Sequence, residues 1–244
     1  MFIKMFLGML LAVSYTFAAK VGLCITATGK YIQFVDPLVV SAERYFCTNH
    51  DVTYFVFTDS PLESTDKIKY FHQSKLGWPF DTMMRFQAHD MHRKELATQD
   101  FLFALDADML FVDEMGDEIL SERVATAHPG YYASSRRAFT YESSPLSTAY
   151  IGSKEGHKYF AGGFYGGSSQ EFLKIAETCL KNIYADLGNG MIAVWHDESH
   201  WNRYCVDHPP TLILSPAYCY PESWNLPFPK KLLALDKNHQ EIRK

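Results

Sequence analysis

The sequence predicts an α/β domain with a doubly wound, mainly parallel sheet, and three observations lead there. From Val21 onward short apolar runs alternate with longer amphipathic ones, the signature of repeated βαβ units. Phe101-Leu102-Phe103-Ala104-Leu105 is apolar throughout, as central strands covered on both faces tend to be. The 244 residues suffice for one substantial core, and nothing in the chain forces a second.

Taken in order, Lys4 precedes an uncharged run over residues 5–19, and Lys20 ends it. That run falls short of the ~20 apolar residues of a spanning helix, so residues 1–20 read as a signal peptide or a short membrane anchor. Residues 21–26 read as a strand, 37–46 as a helix, 52–58 as a β-branched and aromatic strand, 83–96 as a helix and 101–105 as a buried strand. Ser169 opens a helix to about residue 183, with Glu171 early and Lys181 late, as the helix dipole favours. Residues 186–190, Asp-Leu-Gly-Asn-Gly, read as a turn, and a further helical segment follows it. After Cys205 the prolines at 209, 210, 216, 221, 227 and 229 argue for irregular chain wrapped on the body. The polar residues 237–244 read as a mobile end.

Bulk properties exclude several classes. The net charge is −5 and no long basic run occurs, which removes the electrostatic footprint of a nucleic-acid binder. Five cysteines without a Cys-x-x-Cys pair exclude a disulfide scaffold and an all-cysteine zinc site. Aromatic residues make up 15%, enough to supply stacking surfaces beyond the core.

In a doubly wound domain, ligands gather at the carboxyl ends of strands. Asp106-Ala107-Asp108 follows the apolar strand directly, and two carboxylates around a small residue can hold a divalent cation while leaving positions open for phosphate and water. Asp113 and Glu114 read as solvent-facing. At the first strand end, Thr26-Ala27-Thr28-Gly29-Lys30-Tyr31 is a small-residue turn beside a ring that can stack, without the spacing of a phosphate loop. Ala161-Gly162-Gly163-Phe164-Tyr165-Gly166-Gly167 makes room either for close backbone packing or for a bulky ligand group. Trp195-His196-Asp197-Glu198-Ser199-His200 is too polar for a core and offers two chemistries. On a helix His196 and His200 share a face, which suits zinc, whereas Glu198 looks elsewhere as a lone aimed carboxylate. A zincin motif needs Glu directly after the first His, and here that place holds Asp197.

Together these segments resemble the family 6 glycosyltransferases, the family of the ABO histo-blood-group transferases and α-1,3-galactosyltransferases. The likeness runs from Val21 to Arg243. It is carried by Val194-Trp195-His196-Asp197-Glu198-Ser199-His200, His128-Pro129-Gly130 with Phe139-Thr140-Tyr141-Glu142, Asp106-Ala107-Asp108, Gly162-Gly163 before Gly166-Gly167, and Lys237-Asn238-His239-Gln240. It implies a single GT-A catalytic domain, a Rossmann-like mixed sheet flanked by helices, over residues 21–244. It also implies retaining transfer of N-acetylgalactosamine or galactose from a UDP-sugar to the 3-hydroxyl of a galactoside-terminated glycan, with or without a fucose branch.

By this likeness Asp106 and Asp108 would hold Mn²⁺ against the diphosphate, and Glu198 would be the catalytic carboxylate beneath the anomeric carbon, as nucleophile or electrostatic stabiliser, also touching the acceptor. The donor would meet Ala27, Tyr31, Arg85, Asp106, Asp108, Ala161, Gly162, Gly163, Asp197, Lys237 and Arg243, the last two on a mobile lid over residues 237–244. His128 and Thr140 would contact the acceptor. Ala161 and Gly163 leave space for an acetamido group, which favours UDP-N-acetylgalactosamine. Two departures bear on the acceptor: Pro221, followed by Glu222, replaces an acidic residue, and Ser143-Ser144 replaces an arginine pair. The N-terminal segment implies a membrane or secretory location, Golgi-like in a eukaryote and cytoplasmic or at the inner membrane in a bacterium. A zinc hydrolase using His196 and His200, and a carbohydrate-binding protein without catalysis, are the competing classes.

Overall fold

The computed structural model describes residues 18–243, so most of the expected signal or anchor segment lies outside the described residues. Among these, no helix is long and apolar enough to cross a membrane. The chain begins with β1 (Lys20–Thr26) and, after a 3-10 turn, α1 (Val35–Tyr45). Helix α1 buries Val35, Leu38, Val39 and Ala42, the i, i+3, i+4, i+7 stripe of an amphipathic helix, and ends where Phe46 turns extended. Next come β2 (Asp51–Thr58), β3 (Ile68–His72), three short helices α2 (Phe80–Met83), α3 (Arg85–Met91) and α4 (Arg93–Leu96), then β4 (Phe101–Asp106) and β5 (Met109–Phe111). The second half holds β6 (Arg123–Ala127), β7 (Phe160–Ser168), α5 (Ser169–Gly188), α6 (His196–Asp207), β8 (Leu212–Leu214), β9 (Tyr220–Pro221), β10 (Leu232–Ala234) and α7 (His239–Ile242).

Seven strands form one mixed sheet in the order β3-β2-β1-β4-β7-β6-β8. β1, β2, β3 and β4 run parallel, while β7 is antiparallel to both β4 and β6. This is the GT-A type of fold, a Rossmann-like sheet with helices on both faces. One face packs against α1 through Leu38, Phe46 and Phe103. The other packs against α3, α5 and α6, where fully buried Trp201 stacks on Tyr165 with ring centroids 4.5 Å apart. Burying one such ring stabilises the fold by roughly 1.5–3 kcal/mol.

Two features position the site. Gly166 faces β4 so closely that a Cβ there would lie 2.2 Å from the Leu102 carbonyl oxygen, which lets β7 seat against β4. The small sheet β5-β10-β9 then lays the C-terminal chain beside the turn after β4: Ala234 pairs with Met109, and the Leu235 amide donates to the Asp108 carbonyl at 2.9 Å.

Three local expectations are corrected. The helix expected over residues 83–96 is three pieces, broken at Met84 and His92, whose ψ angles of 8° and 25° leave the helical range. The turn expected at 186–190 starts later, because α5 continues to Gly188. Asp186 is buried there, accepting from Ser147 Oγ at 2.5 Å and the Thr148 amide at 2.7 Å, and Gly190 at φ 69° closes the helix. The proline-rich chain after Cys205 is not wholly irregular, since it contains β8, β9 and β10. All five cysteines are free and buried.

Candidate active site

A cleft of about 540 Å³ opens at the carboxyl ends of β1 and β4 and the start of β7. Asp106 ends β4, Thr26 pairs with it from β1, and Gly163 precedes the Phe164 that pairs with Leu105. Three strands therefore deliver their functional residues to one sheet edge, the place where parallel sheets present ligand sites.

The floor of the cleft is an ion network. Arg85, buried on α3, places Nη2 2.7 Å from Asp106 Oδ1 and Nε 3.2 Å from Asp197 Oδ2. Its Nη1 donates to the Gly162 carbonyl at 3.3 Å, and Nη2 also donates to Thr82 Oγ1, whose hydroxyl donates to Asp197 at 3.0 Å. Burial alone would weaken the charge of Arg85, but the carboxylates of Asp197 and Asp106 more than offset it and hold the guanidinium firmly protonated.

Glu198 stands beside this network in the first turn of α6. The Gly162 amide donates to Oε2 at 2.8 Å and the Tyr159 hydroxyl to Oε1 at 2.9 Å, so both oxygens are held. Burial pushes its carboxyl up to about 7, against the two hydrogen bonds that favour the ionised form. Just before it, His196 adopts φ 55°, a left-handed conformation that costs a histidine energy and that Ser199 helps fix by accepting the Trp195 amide at 2.9 Å.

The roof is the C-terminal segment. Lys237 Nζ pairs with Asp108 Oδ2 and lies 5.9 Å from the Tyr31 ring centroid. Arg243 lies 3.6 Å over the Trp78 ring, and Lys30 Nζ donates to the Glu241 carbonyl at 2.9 Å. Burial lowers the Lys237 ammonium, with Asp106 acting in the opposite sense.

The cleft thus gathers Tyr31, Arg85, Asp106, Asp108, Gly162, Gly163, Asp197, Glu198, Lys237 and Arg243. Ala27 and Ala161 are buried behind its wall, and Thr26, Thr28 and the two glycines face it instead. His128 and Thr140 do not line it. They belong to an aromatic group on the far side of Tyr159, with the His128 ring 5.4 Å from Tyr159 and Thr140 Oγ1 3.1 Å from the Tyr131 hydroxyl. His128 Nδ1 accepts the Gly130 amide at 3.0 Å, which leaves the ring proton on Nε2, and burial lowers its pKa to about 4, so the ring is neutral. Sequence reasoning missed Tyr159, Thr82 and Trp78. Tyr159 gave no signal of its own in a stretch dense with aromatics.

The histidine pair does not form a metal site. His196 packs against Trp78 at 4.8 Å between centroids, whereas His200 is buried with Nε2 3.7 Å from Asp186 and is held neutral, its pKa lowered by burial to about 4. Among the described residues no three His, Cys, Asp or Glu side chains gather as a metal cluster. The two rings thus have different surroundings, and the zinc reading falls.

Comparison with known proteins gives a consistent assignment. The family model described as "Glycosyltransferase family 6" matches residues 5–244. The chain is 40% identical over 238 residues to "Histo-blood group ABO system transferase 1" of Rattus norvegicus, covering 91% of this chain and 68% of that protein. It is 35% identical over 236 residues to "Globoside alpha-1,3-N-acetylgalactosaminyltransferase 1" of Gallus gallus, covering 91% and 69%. Over 218 residues it is 29% identical to the Escherichia coli "O-antigen biosynthesis glycosyltransferase WbnI", covering 87% and 93%.

Proposed function

The chain belongs to glycosyltransferase family 6, and from that premise we propose that it transfers N-acetylgalactosamine from UDP to the 3-hydroxyl of a β-galactoside with retention of the α configuration. The observation that carries this reading is the setting of Glu198: one carboxylate, gripped by two donors, in a cleft whose roof carries Lys237 and Arg243.

The cationic roof suits the donor. Lys237 and Arg243 face the cleft and attract a diphosphate, while Tyr31 offers a ring to the uracil. Gly163 leaves the sugar pocket open: a Cβ there would lie 3.2 Å from Cys219 Sγ and 3.3 Å from Asp106 Oδ2, so a larger residue would protrude or displace its neighbours. That space favours an acetamido group and therefore N-acetylgalactosamine over galactose.

Asp106 and Asp108 fit a hard divalent cation such as Mn²⁺. Each carboxylate already faces a cationic side chain, and with no third protein ligand among the described residues, the other oxygens would come from diphosphate and water. An ion held by Asp106 and Asp108 would supply positive charge to offset what develops on the departing UDP. Arg85 fixes the orientation of Asp106, and the roof excludes water that would otherwise hydrolyse the donor. Glu198, ionised, faces the positive charge that develops at the anomeric carbon, as nucleophile or as electrostatic partner. Tyr159 and the Gly162 amide hold its two oxygens in place. His128, neutral, presents its Nε2 proton as a donor for the acceptor. The apolar run before Lys20 is the proposed signal or anchor that brings the domain to a membrane or secretory compartment, and residues 237–244 are the proposed lid.

The test is UDP release with a β-galactoside acceptor. Transfer should stop on chelation, return with Mn²⁺, and show a higher kcat/KM for UDP-N-acetylgalactosamine than for UDP-galactose. Glu198→Gln should lower kcat on the order of 10³-fold while UDP binding persists. Near-normal transfer by that variant would sink the assignment of Glu198, and preference for UDP-galactose would sink the donor.

A further inference from the structure

Glu198 meets its two donors only while α6 and the start of β7 keep one relative position. The carboxylate comes from α6, whereas the Gly162 amide belongs to β7 and the Tyr159 hydroxyl to the residue just before it. The sheet alone does not set that position. β4 pairs with β7 over residues 164–168, and the ladder between β6 and β7 shifts register before it reaches Phe160. Phe160 follows Tyr159 directly and precedes Gly162 by two residues, and one side chain of α6 takes up its backbone. Asn202, 1% exposed, accepts the Phe160 amide on Oδ1 at 2.9 Å and donates from Nδ2 to the Phe160 carbonyl at 2.9 Å. Nδ2 also donates to the Glu198 carbonyl, one helical turn back, at 2.9 Å.

We propose that Asn202 is a positioning residue for the transfer, locking the Glu198 backbone to Phe160 so that both carboxylate oxygens reach their donors. The inference rests on the transferase reading above and adds to it a side chain that does not line the cleft. A carboxamide offers one acceptor oxygen and two N–H donors, and the site uses them all: one amide and two carbonyls face it. Aspartate in this place would keep the acceptor but turn a carboxylate against two carbonyls, and leucine would leave all three backbone groups without this partner. Bonds buried this deeply hold a geometry firmly, because little water reaches them to compete. The geometry matters for turnover, since a misplacement of about 1 Å at a reacting group can cost on the order of 10²-fold in rate. A plain cap on buried backbone would make the same three bonds, but its removal would lower stability without a selective loss of kcat.

The experiment compares the wild type, Asn202→Ala, Tyr159→Phe, their double variant and Glu171→Gln by UDP release with a β-galactoside, by UDP affinity in calorimetry and by the guanidinium chloride midpoint. Glu171→Gln serves as the structural control, because it loosens α6 at Tyr204 without touching the cleft. Asn202→Ala should lower kcat about tenfold while the KM for UDP-sugar and the affinity for UDP stay within about twofold. Glu171→Gln should keep kcat within about twofold even where its midpoint falls as far. Tyr159→Phe should cost about threefold in the wild type and almost nothing on the Asn202→Ala background, where the grip on Glu198 is already loose. Asn202→Ser, with one donor left, should lie between wild type and Asn202→Ala, and it carries the same cycle if Asn202→Ala does not fold. Losses that multiply independently in the double variant, a fall in UDP affinity matching that in kcat, or an equal loss in Glu171→Gln would make Asn202 a structural cap and overturn the proposal. If the wild type takes no galactoside, the same cycle read as UDP-sugar hydrolysis still tests Asn202, so the acceptor reading can fail while the positioning role stands. No UDP release in either reaction would overturn both.

Discussion

Two arginines border the same cleft and are held in opposite ways. Arg85 is buried in the floor, where it meets two carboxylates, a hydroxyl and two backbone carbonyls. Arg243 lies in the roof over the face of Trp78, itself half exposed, directly after the four-residue helix α7. The floor is over-determined because Asp197 and Glu198 are each fixed by two partners, and Arg85 ties Asp197 to Asp106. The roof is attached by a few side-chain contacts at Lys237, Lys30 and Arg243, which suits the proposed lid. The proposed transfer calls for both properties: fixed charge where the sugar would react, and a removable cover against water.

The largest expected effect tests the floor. Arg85→Met keeps much of the volume but leaves Asp197 buried without its cation and Asp106 without its shared donor. Breaking such a pair costs about 3–5 kcal/mol, so the guanidinium chloride midpoint should fall accordingly and transfer should be lost. A change in unfolding free energy below about 1 kcal/mol would show that the network orients the acids without holding the fold.

The roof predicts the opposite division. Arg243→Ala removes a cation–ring contact over a half-exposed tryptophan, worth about 0.5–1 kcal/mol, so stability should hardly move. Transfer should nonetheless fall about tenfold, and the share of UDP-sugar lost to water should rise, because the cover closes less completely. Equal hydrolysis-to-transfer ratios in the variant and the wild type would remove the water-excluding role.

The same contrast explains what was legible in the sequence. Asp106, Asp108 and Glu198 stood out because charge in short runs has no place in a core, whereas Lys237 and Arg243 were named through the family resemblance; all five face the cleft. The partners that hold them were hidden, because Thr82 and Tyr159 act through tertiary contacts made across 115 and 39 residues of chain. For the same reason the continuous helix expected over 83–96 was wrong, since neither glycine nor proline marks the breaks at Met84 and His92. The glycine pairs allowed two readings and the structure uses both: Gly166 packs against β4, and Gly162 with Gly163 faces the site.

The smallest effect probes the finest part of the floor, the Tyr159 hydroxyl on Glu198. Burial raises the carboxyl to about 7, and the hydrogen bonds from Gly162 and Tyr159 oppose that rise, while nearby Asp197 and Asp106 reinforce it. Tyr159 itself is pushed upward by burial, so at neutral pH it remains a donor to the carboxylate. In the proposed role Glu198 acts ionised, so activity should fall as pH drops through about 7. Tyr159→Phe deletes an interaction made with the ionised form, so the pKa rises and the acidic limb of kcat moves to higher pH. A tenfold change in the proton affinity of the carboxylate corresponds to about 1.4 kcal/mol lost from the ionised form. Well above the limb Glu198 is ionised in both proteins, and a kcat that still lags there measures the orientation supplied by the hydroxyl, separately from its effect on charge. An acidic limb that stays in place in Tyr159→Phe would mean that the Gly162 amide alone sets the charge of Glu198.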